Sequence, residues 1–185
     1  MPDQPAAGYS THTVRRIITS HSPSDTDGSS VSIHDDVLSL NSGLGGNAHF
    51  SPLFASLGIP ATSSHSLTSS DITDAMAMAP SVVTPNGVNA QVTDLAPDFK
   101  VGMHRTNSID YNIFLQGSAW FITPTNDGKG GEGEQRTLVN AGEIVVQRGT
   151  LHAWEAGPEG ARWCTVVVAA LPVEKDGKKL AEVDF

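Results

Sequence analysis

Seven histidines, one cysteine and 20 acidic side chains are the groups with which this 185-residue chain could do chemistry. Two of the histidines stand in strongly strand-like sequence: His104 ends Lys-Val-Gly-Met-His, and His152 sits in Gly-Thr-Leu-His-Ala-Trp, 48 positions later. Alternation along a strand puts His104 and Thr106 on one face and Arg105 on the other. If the next strand begins at Asp110, that carboxylate shares the His104 side. Two neutral imidazoles and one carboxylate with open positions suit Fe(II), Mn(II) or Zn(II). His104, His152 and Asp110 are therefore the expected catalytic residues and the expected ligands of one divalent metal. The same imidazoles also suit metal-free proton transfer near neutral pH, and the spacing leaves both open. Around them, Asn112 and Gln147 point inward by alternation, and Trp154 lies on the His152 face as an aromatic wall. Arg148 offers a guanidinium fork for a substrate carboxylate, and Thr106 offers a hydroxyl. These five are the expected substrate contacts. His12, His21, His34, His49 and His65 lie in loop-like sequence. His49 alone has apolar neighbours that would pack it near a barrel mouth. The lone Cys164 can form neither an internal disulfide nor a cysteine cluster for zinc.

The elements that must position these groups read as mostly β. Residues 1–10 look like a frayed tail. Thr13–Ser20 is β-branched, Ser22–Ser30 is turn chemistry, and Val31–His34 can return, which makes a hairpin. Asn41–Ser70 is punctuated by Gly, Ser and Pro and is expected to be an irregular connection lying on a core. A short helix over residues 70–79 would be capped by Ser70, with Asp71 in its first turn and Pro80 beyond its end. From residue 81 onward, short β-rich runs (SVVT, NAQVTDL, KVGMH, DYNIFLQGSAWFIT, RTLV, EIVVQ, LHAWE, RWCTVVVAA) alternate with turn signals. The turns are expected at 85–87, 126–134, 140–142 and 157–160. Many short strands so punctuated indicate an all-β sandwich or barrel. The expected division is an N-terminal hairpin and extension over 1–80, a barrel over 81–173 and a charged surface tail over 174–185. The Gly-rich tract at 127–133 has strands on both sides, so it reads as a hairpin tip and not a phosphate cradle.

The stretches HRTNSIDYNIFLQG and GEIVVQRGTLHAW resemble the two motifs of the cupin superfamily. His104 stands at the first His of motif one, Thr106 replaces the second His, Asp110 replaces the Glu, and Gly117 falls seven residues on. Gly142 opens motif two, Gly149 and His152 close it, and Ala156 takes the Asn position. The usual Pro is missing, and Gln147 and Arg148 occupy that corner. The combination HRTxSxDY with VVQRGTxHAW is similar to a branch of small single-domain cupins found beside fungal and bacterial natural-product enzymes. The opening RRIITSH and the closing VEKDGKKL fit the same branch. The resemblance implies a double-stranded β-helix (jelly roll), a site in the barrel mouth and a homodimer. One strand also has apolar residues on both faces (Tyr111, Ile113 and Leu115 opposite Phe114), so its outer face needs a cover.

Three functions follow as expectations. The first is a non-redox enzyme (decarboxylation, dehydration or isomerisation/cyclisation) acting on a small aromatic or polyketide-like metabolite. The second is an Fe(II) dioxygenase using His104, His152 and Asp110. The third is a binding module without catalysis, which the replaced motif residues would tolerate. The net charge of −9 argues against a nucleic-acid surface, which needs a basic patch. No apolar run approaches the ~20 residues of a membrane helix, and the first residues lack a secretion-signal pattern. A cytoplasmic protein acting on a small molecule is expected.

Overall fold

Alternating apolar and polar side chains select a sheet with one covered face, and most of the chain after residue 86 follows that rule. A computed structural model describes residues 12–61, 66–78, 82–126 and 132–184. The expected tail over 1–10 and residues 127–131 of the expected hairpin tip at 127–133 fall outside the described residues, as do His65 and Pro80.

Strands β1 (Thr13–His21) and β2 (Val31–Ser39) pair antiparallel along their full length, from Thr13↔Ser39 to His21↔Val31. This is the expected N-terminal hairpin, with a longer return strand. The extension behind it is more regular than the sequence suggests. Asn41–Gly43 forms β3, and Ala48–Leu57 forms β4, which pairs with β5 (Gly87–Leu95). Strands of the main sheet therefore start at Asn41 and not after residue 80. Pro52 concealed β4, because a proline inside a run argues against a paired strand. A register shift between Pro52 and Phe54 accommodates it as a bulge. The helix α1 (Ser69–Ala77) forms, but Thr68 caps it in place of Ser70. Thr68 Oγ1 accepts from the Asp71 amide (3.2 Å), and Asp71 Oδ2 accepts from the Thr68 amide (2.7 Å), a capping box.

The main sheet is antiparallel, in the order β3-β4-β5-β10-β7-β8, with β6 (Lys100–His104) added to β10 and β9 (Ile144–Arg148) added to β7. β7 spans Ser108–Asn126, β8 spans Glu132–Asn140 and β10 spans His152–Ala169. The expected turn at 157–160 is instead a break in register within β10, between Ala156 and Ala161, opposite Gly117 of β7. Gly117 has φ 65°, and a Cβ there would lie 2.1 Å from the Gly160 carbonyl oxygen, so only glycine lets the two long strands bend this closely. The two bent strands wrap the sheet into the all-β jelly roll expected from the sequence. The run from 81 is not a strand over residues 82–84. Asn89, 2% exposed, clamps it by accepting from the Thr84 amide (3.1 Å) and donating to the Val82 carbonyl (3.2 Å).

Inward positions of β5, β7 and β10 meet in an aromatic core. Phe114 stacks on Trp163 (centroids 5.3 Å apart, planes 16°) and tilts against Trp154 at 5.4 Å. Phe114 is 1% exposed, and truncating it to Ala should cost about 3–5 kcal/mol. The charged tail adds a short exposed hairpin, β11 (Glu174–Lys175) with β12 (Lys178–Lys179), and then returns to the barrel. There the amide and carbonyl of Arg105 bridge those of Val183 at 2.9 and 3.0 Å.

Candidate functional site

Alternation along β7 turns Asp110 and Asn112 inward, and the same rule turns Gln147 inward from β9, the neighbouring strand. The β6–β10 register places His104 directly opposite His152. Together with Trp154 these residues line a cavity of about 370 Å³ in the barrel. The two imidazoles face each other with centroids 4.1 Å apart and planes tilted by 53°.

Backbone carbonyls fix both rings. His104 Nδ1 lies 2.9 Å from the Gly102 carbonyl oxygen, and His152 Nδ1 lies 3.0 Å from that of Thr150. A carbonyl can only accept, so each Nδ1 carries the proton, and Nε2 is the basic nitrogen of each neutral ring. Burial holds both rings neutral. It lowers His104, against a small opposing pull from the Gly102 carbonyl. It pushes His152 down to about 4, helped by the neighbouring His104 and opposed by the carbonyls of Thr150 and His104.

Asp110 moves the other way. Burial pushes its carboxyl up to about 6, and a hydrogen bond from Ser108 pulls it partly back. Gln147 Nε2 donates to Asp110 Oδ2 at 3.2 Å, and Thr165 Oγ1 donates to Asn112 Oδ1 at 2.8 Å. Asp110 Oδ1, Asn112 Nδ2 and Gln147 Oε1 are buried without a partner. Each such atom costs about 1–3 kcal/mol unless it is paired.

Two of the expected substrate contacts do not line this cavity. Arg148 is exposed, because the residue after an inward Gln147 must point outward. Thr106 lines an outer groove, and its hydroxyl lies 2.8 Å from Ser108 Oγ. His49 does not reach the mouth either. It stacks on His12 outside the barrel, with centroids 3.6 Å apart. Sequence reasoning missed Phe50 and Pro52 of β4, which line the cavity because β4 is a wall strand, and Gln91 and Thr93 of β5. The alternation in Asn-Ala-Gln-Val-Thr-Asp-Leu was the available signal for the last two.

The expected metal triad is not assembled. Two imidazoles are suitable donors, but a catalytic metal usually takes three protein ligands. Among the described residues no group of three or more His, Cys, Asp or Glu side chains is arranged to hold an ion. Asp110 lies on the same cavity without completing a ligand set.

No family model matches the chain. A search of characterised proteins does find relatives. Phomopsin biosynthesis cluster protein D of Diaporthe leptostromiformis is 30% identical over 173 residues, 92% of this chain and 86% of that protein. The chain belongs to this family. A second relative, from Aspergillus ruber, is named a cupin-domain-containing oxidoreductase; it is 28% identical over 183 residues, 95% of this chain and 81% of that protein. The family's jelly roll is thus a cupin fold, in agreement with the two motifs. Among solved structures, an oxalate decarboxylase of Bacillus subtilis aligns with TM-score 0.45 and 13% identity, over 71% of this chain and 28% of that one. In this family member the motif histidines His104 and His152 form the facing pair, and Asp110 is the buried carboxyl. No helix among the described residues is long and apolar enough to cross a membrane.

Proposed function

We propose that this cupin is an enzyme of natural-product biosynthesis that moves protons on a small hydroxylated or carbonyl-bearing metabolite, in a decarboxylation, dehydration or isomerisation. The observation that carries the reading is the opposed tuning of groups on one cavity. Two imidazoles are held neutral while a carboxyl is held up to about 6. Environments that push titratable groups apart in this way separate a base from an acid. Two rings this close cannot both be charged at modest cost, so the His104–His152 pair takes up one proton at a time. In dehydration or isomerisation the pair removes a proton from carbon next to the substrate carbonyl; in decarboxylation that carbon's bond to the departing CO2 breaks instead. Protonated Asp110 delivers its proton to the carbonyl oxygen, or to a departing hydroxyl, which leaves as water. At pH 7 about one Asp110 in ten carries that proton. Asn112 and Gln147 hold the substrate's polar groups, which offsets the cost of their unpaired atoms. Trp154 supports a flat ring. Relatives from fungal biosynthesis clusters support the pathway context.

The test is incubation in D2O, with EDTA present, of wild type and variants with a panel of aromatic β-keto acids and β-hydroxy ketones. Deuterium uptake, CO2 release or water loss is read by mass spectrometry. Turnover that survives chelation and drops at least about 100-fold in His152→Ala supports the reading. Oxygen consumption that depends on added Fe(II) would overturn it in favour of the oxidoreductase chemistry named for the Aspergillus ruber relative. The reading includes a homodimer. Tyr111, Leu115, Ile144 and Val146 leave an apolar outer face on β7 and β9, each 42–59% exposed, of the kind that marks an interface.

A further inference from the structure

A second cavity, an outer groove of about 570 Å³, adjoins the inner one and shares two residues with it, Val82 and His104. His104 is thus both a wall of the barrel interior and the inner end of the groove. The rest of the groove is largely apolar. Val83 and Pro85 come from the loop that Asn89 clamps, Leu171 and Pro172 follow β10, and Val183 comes from the returning tail. The tail is fixed in place. Besides the Arg105–Val183 backbone bridge, Arg105 Nε and Nη2 donate to the Ala181 carbonyl at 3.0 and 2.6 Å, and Glu182 Oε1 accepts from the Asn107 amide at 2.9 Å. Leu171 stands on the rim, 90% exposed. The charges facing the groove are mainly acidic. Arg105 turns its guanidinium onto the tail, and Glu182 and Asp184 add carboxylates along that wall.

We propose that the substrate has two parts: a polar reacting head in the barrel at the His104–His152 pair, and an uncharged apolar arm that leaves past His104 and lies in the outer groove. This rests on the proposed placement of the reacting head and adds a substrate class to it. An apolar arm gains by covering Val83, Pro85, Leu171 and Val183. An anionic arm would meet Glu182 and Asp184. The tail is then part of the binding site and not a surface appendage.

Binding of 4-alkylphenols tests this without any turnover, read by quenching of the cavity tryptophans Trp154 and Trp163. The probes are phenol, 4-butylphenol and 4-octylphenol, with 8-(4-hydroxyphenyl)octanoate as the anionic arm. Affinity should rise about two- to fourfold per methylene along the neutral series, and the octanoate should bind more weakly than 4-octylphenol. Leu171→Asp and, separately, Val183→Asp should each weaken 4-octylphenol about tenfold and leave phenol unchanged. Leu171 is exposed, so its variant should fold. Affinity independent of chain length, or 4-octylphenol binding untouched by both variants, would overturn the proposal. The two readings fail separately. Alkylphenols that bind with the predicted length dependence in a protein whose His152→Ala form keeps full turnover would leave the groove standing and remove the acid–base reading.

Discussion

Among the described residues two histidine pairs face each other, and they are built differently. His12 and His49 stack nearly parallel (14°) on the outside of the barrel, beside a carboxylate that is already paired. Asp94, 2% exposed, accepts from the Arg162 guanidinium at 2.6 Å and lies 3.2 Å from His12 Nδ1, while Arg162 also donates to the Thr13 carbonyl at 3.2 Å. That cluster ties the start of the N-terminal hairpin to β5 and β10. Its polar groups find partners in one another. His104 and His152 lie in different surroundings. Backbone carbonyls orient them, burial keeps them neutral, and unpaired polar atoms share their cavity. Polar groups satisfy one another in the outer cluster, whereas buried atoms of Asp110, Asn112 and Gln147 on the inner cavity are left unpaired.

The contrast can be broken most forcefully at His152. His152→Ala should reduce turnover by at least about 100-fold with a cooperative unfolding transition retained. Removing the outer carboxylate should act on folding instead. Asp94→Ala leaves Arg162 without its buried partner and should cost about 3 kcal/mol in urea unfolding with turnover per folded molecule intact. An unchanged midpoint would show that the outer cluster is not structural.

Asp110→Asn sharpens the comparison by its pH dependence. The wild-type carboxyl is raised to about 6 in the fold, above its unfolded value near 4. The cost of ionising it inside the barrel is therefore absent below about pH 4, grows between 4 and 6, and is complete above 6. The variant should gain up to about 3 kcal/mol of stability at pH 7.5 and nothing at pH 4. It should also lose turnover, together with the roughly tenfold fall per pH unit expected of wild type above pH 6. Equal stability at both pH values would contradict the buried acid. The smallest effect is expected at His49→Ala, within about twofold of wild-type turnover. A large loss there would erase the distinction between the pairs. The outer face of β7 and β9 is checked by light scattering: Val146→Glu should turn a dimer into a monomer, and a wild-type monomer would remove that element.

Much of this was legible before the structure because alternation is strict where a strand has one covered face. It turned Asp110, Asn112, Gln147 and Trp154 inward, and it set His104 and His152 at strand margins. The misreadings have local causes. Pro52 hid β4 because a bulge absorbed it, and with β4 went Phe50 as a cavity wall. Gly157 and Gly160 made a bend look like a turn; Gly157 instead serves close strand approach, since a Cβ there would lie 2.4 Å from Ser118 Oγ. Arg148 was credited with a pocket role that the parity of its strand forbids. The metal triad followed from residue types; the fold sets the two imidazoles face to face and places Asp110 on the same cavity, without arranging the three as a ligand set.

The central claim is that His104 and His152 are neutral rings with the proton on Nδ1. Long-range proton–nitrogen NMR of the imidazoles, assigned with the His104→Ala and His152→Ala variants, tests it directly between pH 5 and 8. His152 should stay neutral, in the Nδ1–H form, throughout that range, and His104 should be neutral at pH 7. An imidazolium signal for His152 at pH 6, or the proton on Nε2 of either ring, would contradict it.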